Sequence, residues 1–209
     1  DNTGGDVGEF VEVAGSAGID LSDCQLFLYN GSNDMTYGVA MTLAGLIDDE
    51  GAGFGAVSFD YPSNGLQNGA PDGVALVCGG NVVDFISYEG TITAVGGPAD
   101  GMTSTNIGTE GGGTPIGESL QLTGSGCPAG DFTWGGPSVA SPGSINTGQT
   151  FELSDCDMDN SAPVVFTELR IAGDCANEYT LIRTWTATDN CGNDVEHEQE
   201  IIVEDTTPP

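Results

Sequence analysis

The chain has 209 residues, 38% of them hydrophobic, with 32 acidic side chains set against two arginines, one histidine and no lysine, for a formal net charge of −30. Phosphate binding requires clustered Lys and Arg, so this balance argues against nucleic acid as a partner and, for the same reason, against anionic membrane surfaces. No apolar run approaches the roughly 18–20 residues that span a bilayer, and the opening DNTGGDVGEF is no signal peptide, so the expectation is a soluble, already processed chain.

Residues 9–14 (EFVEVA) alternate as a strand does, and 25–29 (QLFLY) form a second, ended by Asn30-Gly31. A third candidate, 39–43, leads to the acidic turn Asp48-Asp49-Glu50, and 56–61 (AVSFDY) is a strand stopped by Pro62. The stretch 69–90 then organises the rest. Its two apolar runs, 74–78 and 82–88, flank Gly79-Gly80-Asn81, the pattern of a β-hairpin with a short glycine-rich loop. Both runs are apolar on both faces, which places the hairpin at the centre of a sandwich or small barrel. Asp84 sits inside it between Val83 and Phe85, where an ionised carboxylate needs hydrogen bonds, a cation or a metal, with backbone hydrogen bonds the first expectation.

A short run, 92–95, precedes a Gly/Thr/Pro stretch, 96–118, expected to be an ordered surface loop. Strands at 119–123 and 131–134 follow, and the Ser/Pro/Gly-rich segment 137–149 closes a first domain. Strands at 164–169, 179–187 and 196–204 belong to a second, small domain. The last of them puts Glu196, Glu198 and Glu200 on one face and His197, Gln199, Ile201 and Val203 on the other. No stretch holds a helical period over three turns, and 34 glycines spread between short apolar runs fit the many tight turns of an all-β protein.

Residues 1–149 carry 18 of the acids and no Lys, Arg or His. A carboxylate held close to another there is hydrated, hydrogen-bonded to backbone, protonated or bound to a hard cation, Ca²⁺. The candidate calcium ligands are Asp155, Asp157 and Asp159, in a D-x-D-x-D spacing that fails as an EF-hand because Asn160 replaces the glycine and Phe166 the bidentate glutamate. Asp174, Asp189 or Asp205 would complete that site, and Asp1, Asp6 and Glu9 form a second cluster. The six cysteines, Cys24, Cys78, Cys127, Cys156, Cys175 and Cys191, lack a CxxC and read as three disulfides in an oxidising compartment. Fifteen pairings exist. The favoured set is Cys24–Cys78 across paired strands, Cys175–Cys191 within the last domain, and Cys127–Cys156 by elimination. A catalytic Ser/His/Asp set is not expected, since His197 lies between Glu196 and Glu198 on a strand.

DNTGGDVGEFVEV, NGAPDGVALV, VVDFISYEG, GMTSTNIG, GESLQLTGSG, DFTWGGP and SPGSINTGQTF together resemble the lamin-tail domains of bacterial secreted and surface proteins, over residues 1–151. GDCANEYTLIRTWTATDNCGNDVEHEQEIIVEDTTPP is similar to the Ig-like, HYR-type repeats of bacterial cell-surface adhesins, with Trp185, Asp189, Cys191, Gly192 and DTTPP carrying the likeness. The resemblance implies an all-β chain of two Ig-like β-sandwich domains in tandem, 1–150 and 151–209. In that family an apolar strand precedes DNTGG, so the first sandwich is expected to lack its usual first strand, a gap that a neighbour's strand would fill.

The function that follows is non-enzymatic. The chain is expected to be an extracellular or cell-surface structural module, a repeat or subunit of an adhesin or filament that assembles head to tail with copies of itself or adjacent repeats, stabilised by disulfides and Ca²⁺. The alternative is an accessory module of a secreted hydrolase that targets polysaccharide or protein.

Overall fold

The computed structural model describes residues 6–69, 71–109, 113–127, 129–152, 164–175, 177–188, 194–204 and 206. The chain is all-β. Its strands are β1 (Phe10–Ser16), β2 (Cys24–Asn30), β3 (Met35–Thr42), β4 (Phe54–Asp60), β5 (Asp72–Cys78), β6 (Asn81–Tyr88), β7 (Thr105–Asn106), β8 (Glu118–Gly126), β9 (Thr133–Val139), β10 (Gln149–Phe151), β11 (Val164–Ala172), β12 (Tyr179–Thr188) and β13 (Asp194–Val203). Helical structure among the described residues is limited to 3-10 turns at Leu21–Asp23 and Ala129–Asp131, and no helix is long and apolar enough to cross a membrane. The chain divides into two compact units, Asp1–Glu152 and Leu153–Pro209.

In the first unit a five-stranded sheet runs in the order β3-β2-β5-β6-β7, with β5 in the middle. The central hairpin thus has the position that its two-sided apolar pattern predicts. Its turn is Gly79-Gly80, both at positive φ (56° and 81°), with Cys78 opposite Asn81. That backbone suits a two-residue hairpin whose twist matches the strands, and glycine adopts it without strain.

Alternate side chains of the central strands enter two cores. Leu26, Leu28 and Val74 join Leu21, Leu43 and Ile47 on one face, against which Val11 and Val13 of β1 and Val57 and Phe59 of β4 pack. The β1–β4 pair is a separate antiparallel sheet in which Phe10 faces Asp60 and Ser16 faces Phe54. On the other face Tyr29, Ala75, Val77 and Phe85 pack with Ile92, Ala94 and Ala99 from the loop after β6. A strand covered on both sides reads as a continuous apolar run, which is why the signal is strongest in β2 and β5. The remaining sheet of this unit has the order β10-β8-β9, with β10 parallel to β8.

The long glycine-rich loop is ordered by side chains of the sheet. Tyr29, fully buried, donates its hydroxyl to Gly96 O (3.2 Å) and accepts from Ala99 N (3.0 Å). Deeper in, Ser87 Oγ bonds Gly90 O at 2.6 Å and lies 2.6 Å from Ser104 Oγ, which accepts Ile92 N at 2.8 Å. Within the loop the expected strand at 92–95 is only an isolated bridge, Thr93 to Thr103, while the two-residue β7 pairs parallel to β6. The segment 137–149, read as closing the first domain, carries the end of β9 and the start of β10.

The second unit is one antiparallel sheet in the order β11-β12-β13. Phe166 stands opposite Trp185, and Trp185 opposite His197.

Candidate functional site

Every described carboxylate of the first unit lacks a basic side chain to pair with there, and the fold turns several of them onto backbone N–H groups instead. The densest set surrounds the loop between β4 and β5. Asp72, buried at 1% exposure, accepts from Gly31 N (3.0 Å) and Gly69 N (2.6 Å). Glu9 accepts from Gly65 N (2.7 Å) and Leu66 N (3.3 Å). Asp6, equally buried, is bonded by the Asn68 amide, while its own backbone N–H reaches Asn64 Oδ1 at 3.2 Å and its carbonyl is met by the Ser63 hydroxyl. Three acids from two parts of the chain thereby fix one loop, and a charged acceptor makes a stronger bond than a neutral one. Between this loop and the β2–β3 turn lies an open cleft lined by Asn30, Ser32, Gln67, Asn68, Gly69, Pro71 and Asp72.

The same device recurs elsewhere. Asp49 bonds Gly51 N and Gly53 N, Asp100 bonds Gly96 N, and Glu50 spans from Ala56 N (2.8 Å) to Ile145 N (3.0 Å). Glu12 accepts from Gly143 N at 2.8 Å. Burial raises the Glu12 pKa above its usual value, the Gly143 bond opposes that, and the neighbouring Glu50 adds to it.

Two tyrosines line the inner side of this region. Burial pushes both phenols up to about 12. Tyr37 Oη accepts from Gln67 N at 2.9 Å, which lowers its pKa again, while the charges of Asp72 and Glu9 raise it. Tyr61 Oη, buried, makes no hydrogen bond among the described residues.

Asp84 is placed differently from the expectation. It is exposed, because the ladder shifts between Leu76–Asp84 and Val77–Val82 and leaves Val83 as an extra, unpaired residue. Such a bulge bends the strand and re-aims its side chains. Desolvation of the carboxyl still raises its pKa, and a hydrogen bond from the Phe85 backbone lowers it.

Of the expected calcium ligands, Asp1, Asp155, Asp157, Asp159, Asp189 and Asp205 lie outside the described residues. Asp6 and Glu9 act as loop anchors. Asp174 is exposed, in a shallow cleft shared with Glu178 and Glu204. Among the described residues no group of three or more His, Cys, Asp or Glu side chains is arranged to hold a metal ion.

Cys24 and Cys78 form a disulfide across directly opposed residues of β2 and β5, with Cα atoms 4.0 Å apart. Cys127 is disulfide-bonded. Cys175 is a free, exposed thiol, contrary to the expected pairing with Cys191. Cys156 and Cys191 lie outside the described residues. In the β2–β3 turn, Asn30 Oδ1 accepts Ser32 N at 2.7 Å, so the Asn-Gly-Ser triplet serves as an Asx-type turn.

The sequence reading missed Asp72 and Tyr29. Asp72 had a signal: an acid beside a Gly/Asn-rich loop, in a segment free of basic side chains, must find N–H donors if it is buried. Nothing local marks Tyr29, whose partners lie 67 and 70 residues away. Comparison with family models, with curated proteins and with solved structures returns no significant match.

Proposed function

We propose that the protein is a non-enzymatic, extracellular structural module, a repeat or subunit of a bacterial surface adhesin or filament that assembles head to tail. The observation that carries this reading is the second unit. Its three-stranded sheet presents Val164, Phe166, Leu169, Val195 and Ile202 to solvent, and no described residue of the unit is buried. A sheet must bury an apolar face against another layer to be stable, so this unit is built to be completed by a neighbour. β1 adds a second opening of the same kind, since its only partner among the described strands is β4, which leaves one edge able to accept a donated strand. The lamin-tail and HYR-type resemblances, the Cys24–Cys78 disulfide and the acidic surface agree with an adhesin-like module outside the cell. Calcium belongs to the same proposal, bound by acids such as Asp174 and the D-x-D-x-D segment.

Negative-stain microscopy of the purified chain in calcium-containing buffer tests this. Filaments or end-to-end oligomers are expected. Dispersed monomers that bind a glycan array would instead favour a targeting module of a secreted hydrolase.

A further inference from the structure

The second unit's sheet has two unlike faces. On one, the opposed triplets are Val164–Ala187–Val195, Phe166–Trp185–His197, Glu168–Arg183–Gln199 and Arg170–Leu181–Ile201. This face holds every basic side chain of the chain: both arginines and the histidine. Arg183 Nε pairs with Glu168 Oε2 at 2.8 Å, and the Arg170 guanidinium lies 4.0 Å from the centre of the Tyr179 ring. On the other face the triplets are Val165–Thr186–Glu196, Thr167–Thr184–Glu198, Leu169–Ile182–Glu200 and Ile171–Thr180–Ile202. It has the same apolar character, with an exposed row of three glutamates along β13 and no cation.

We infer that the arginine-bearing face of one copy packs on the glutamate-bearing face of the next, so that the sheets stack into an open, head-to-tail array. This rests on the structural-module reading and names the surface that carries it. The occupant is a second copy because the chain itself supplies both halves of the match. The basic face opposes a row of like charges that repel one another unless a cation meets them. Both faces expose apolar side chains of the outer strands, Val164, Phe166 and Val195 on one and Val165, Leu169, Ile171 and Ile202 on the other, and sheets pack about 10 Å apart, within reach of arginine and glutamate side chains. Pairing the glutamate face with its own twin would set three carboxylates against three, and the arginine face offers its twin only Glu168, which Arg183 already holds. Joining unlike faces is a heterologous contact, which continues without closing. Elsewhere two copies at −30 repel, so the charge pattern fixes which faces meet.

The test is sedimentation velocity across a concentration series with the full chain and two charge-reversed variants. One carries Arg170→Glu and Arg183→Glu; the other carries Glu196→Lys, Glu198→Lys and Glu200→Lys. Wild type is expected to oligomerise, each variant alone to lose that association by tenfold or more, and an equimolar mixture of the two to regain it. Because Arg183 has an ion-pair partner on its own sheet, near-ultraviolet circular dichroism of the tryptophans checks that each variant is folded, and the triple-lysine variant, which touches no ion pair among the described residues, stands as an independent arm. Filaments that persist in both variants would keep the module reading and overturn this contact. Association of the lysine variant alone would overturn it in favour of a symmetric joint through the arginine face. A wild-type chain monomeric throughout, or one that uses Trp185 to bind glycans, overturns both.

Discussion

Asp72 Oδ1 accepts a hydrogen bond from Gly31 N at 3.0 Å, tying the start of β5 to the turn between β2 and β3. Both ends of the contact are constrained. The carboxylate is buried, and a Cβ on Gly31 would lie 1.7 Å from Pro71 O. Asp72→Ala is expected to destabilise the first unit by about 2–4 kcal/mol, because it orphans two backbone N–H groups that have lost a charged acceptor. Gly31→Ala is expected to cost at least about 1–3 kcal/mol through overpacking. At Gly79, where nothing lies within 4 Å, the cost should be only the roughly 1 kcal/mol of a positive φ. Urea unfolding of the three variants checks the order.

The Cys24–Cys78 bond closes a loop with a sequence separation of 54 between two strands of the central sheet. Chain entropy assigns it about 4 kcal/mol. Replacing both cysteines by alanine is expected to lower the urea midpoint and to steepen the slope, because the denatured chain freed of the crosslink exposes more surface. An unchanged midpoint would show that the β2–β5 ladder suffices without the bond.

Tyr37 and Tyr61 should titrate late, and burial raises the Tyr29 phenol in the same direction. In an alkaline titration followed by tyrosinate absorbance, Tyr37 and Tyr61 are expected to ionise near 12, against 10.0 for an ordinary phenol. Folding raises these pKa values, so the native chain holds more protons than the unfolded chain above pH 10, and stability falls as pH rises from there towards 12. Tyr61→Phe, which removes an unpaired hydroxyl, should be neutral or stabilising, whereas Tyr37→Phe should cost about 1 kcal/mol by stripping Gln67 N of its acceptor.

Asp84 gives the acidic counterpart. Its raised pKa means that the native state binds more protons than the unfolded chain just above the ordinary value of 3.8, so its contribution to stability declines as pH rises through that interval. Asp84→Asn removes the dependence. The variant is expected to be the more stable at neutral pH and to converge with wild type in acid. Parallel melting curves from pH 3 upwards would reveal a carboxyl with no shift.

Calcium is tested by adding excess chelator. The melting temperature of the purified chain is expected to fall and to recover with added Ca²⁺, as binding to the native state alone requires. An unchanged melting curve removes the metal from the proposal.

How much of this was legible in the sequence follows from the range of the forces involved. Local patterns carried the strands. Two-sided apolar runs located β5 and most of β6, the QLFLY run ended by Asn30-Gly31 located β2, two adjacent glycines located the hairpin turn, and the absence of a 3.6-residue period excluded long helices. Composition carried the logic of the acids, since a segment with no cation must spend buried carboxylates on backbone donors. The bulge that exposes Asp84, the choice of Asp72 and Glu9 as anchors, and the two partners of Tyr29 were settled only by tertiary structure. Each joins groups dozens of residues apart, or displaces a strand by one residue, and neither leaves a local pattern. Likewise, the alternation of the last strand separated Glu196, Glu198 and Glu200 from His197, but only the pairing of β11, β12 and β13 gathered both arginines with that histidine on one face. Strand register is a long-range choice, and it decided where the charge of this chain stands.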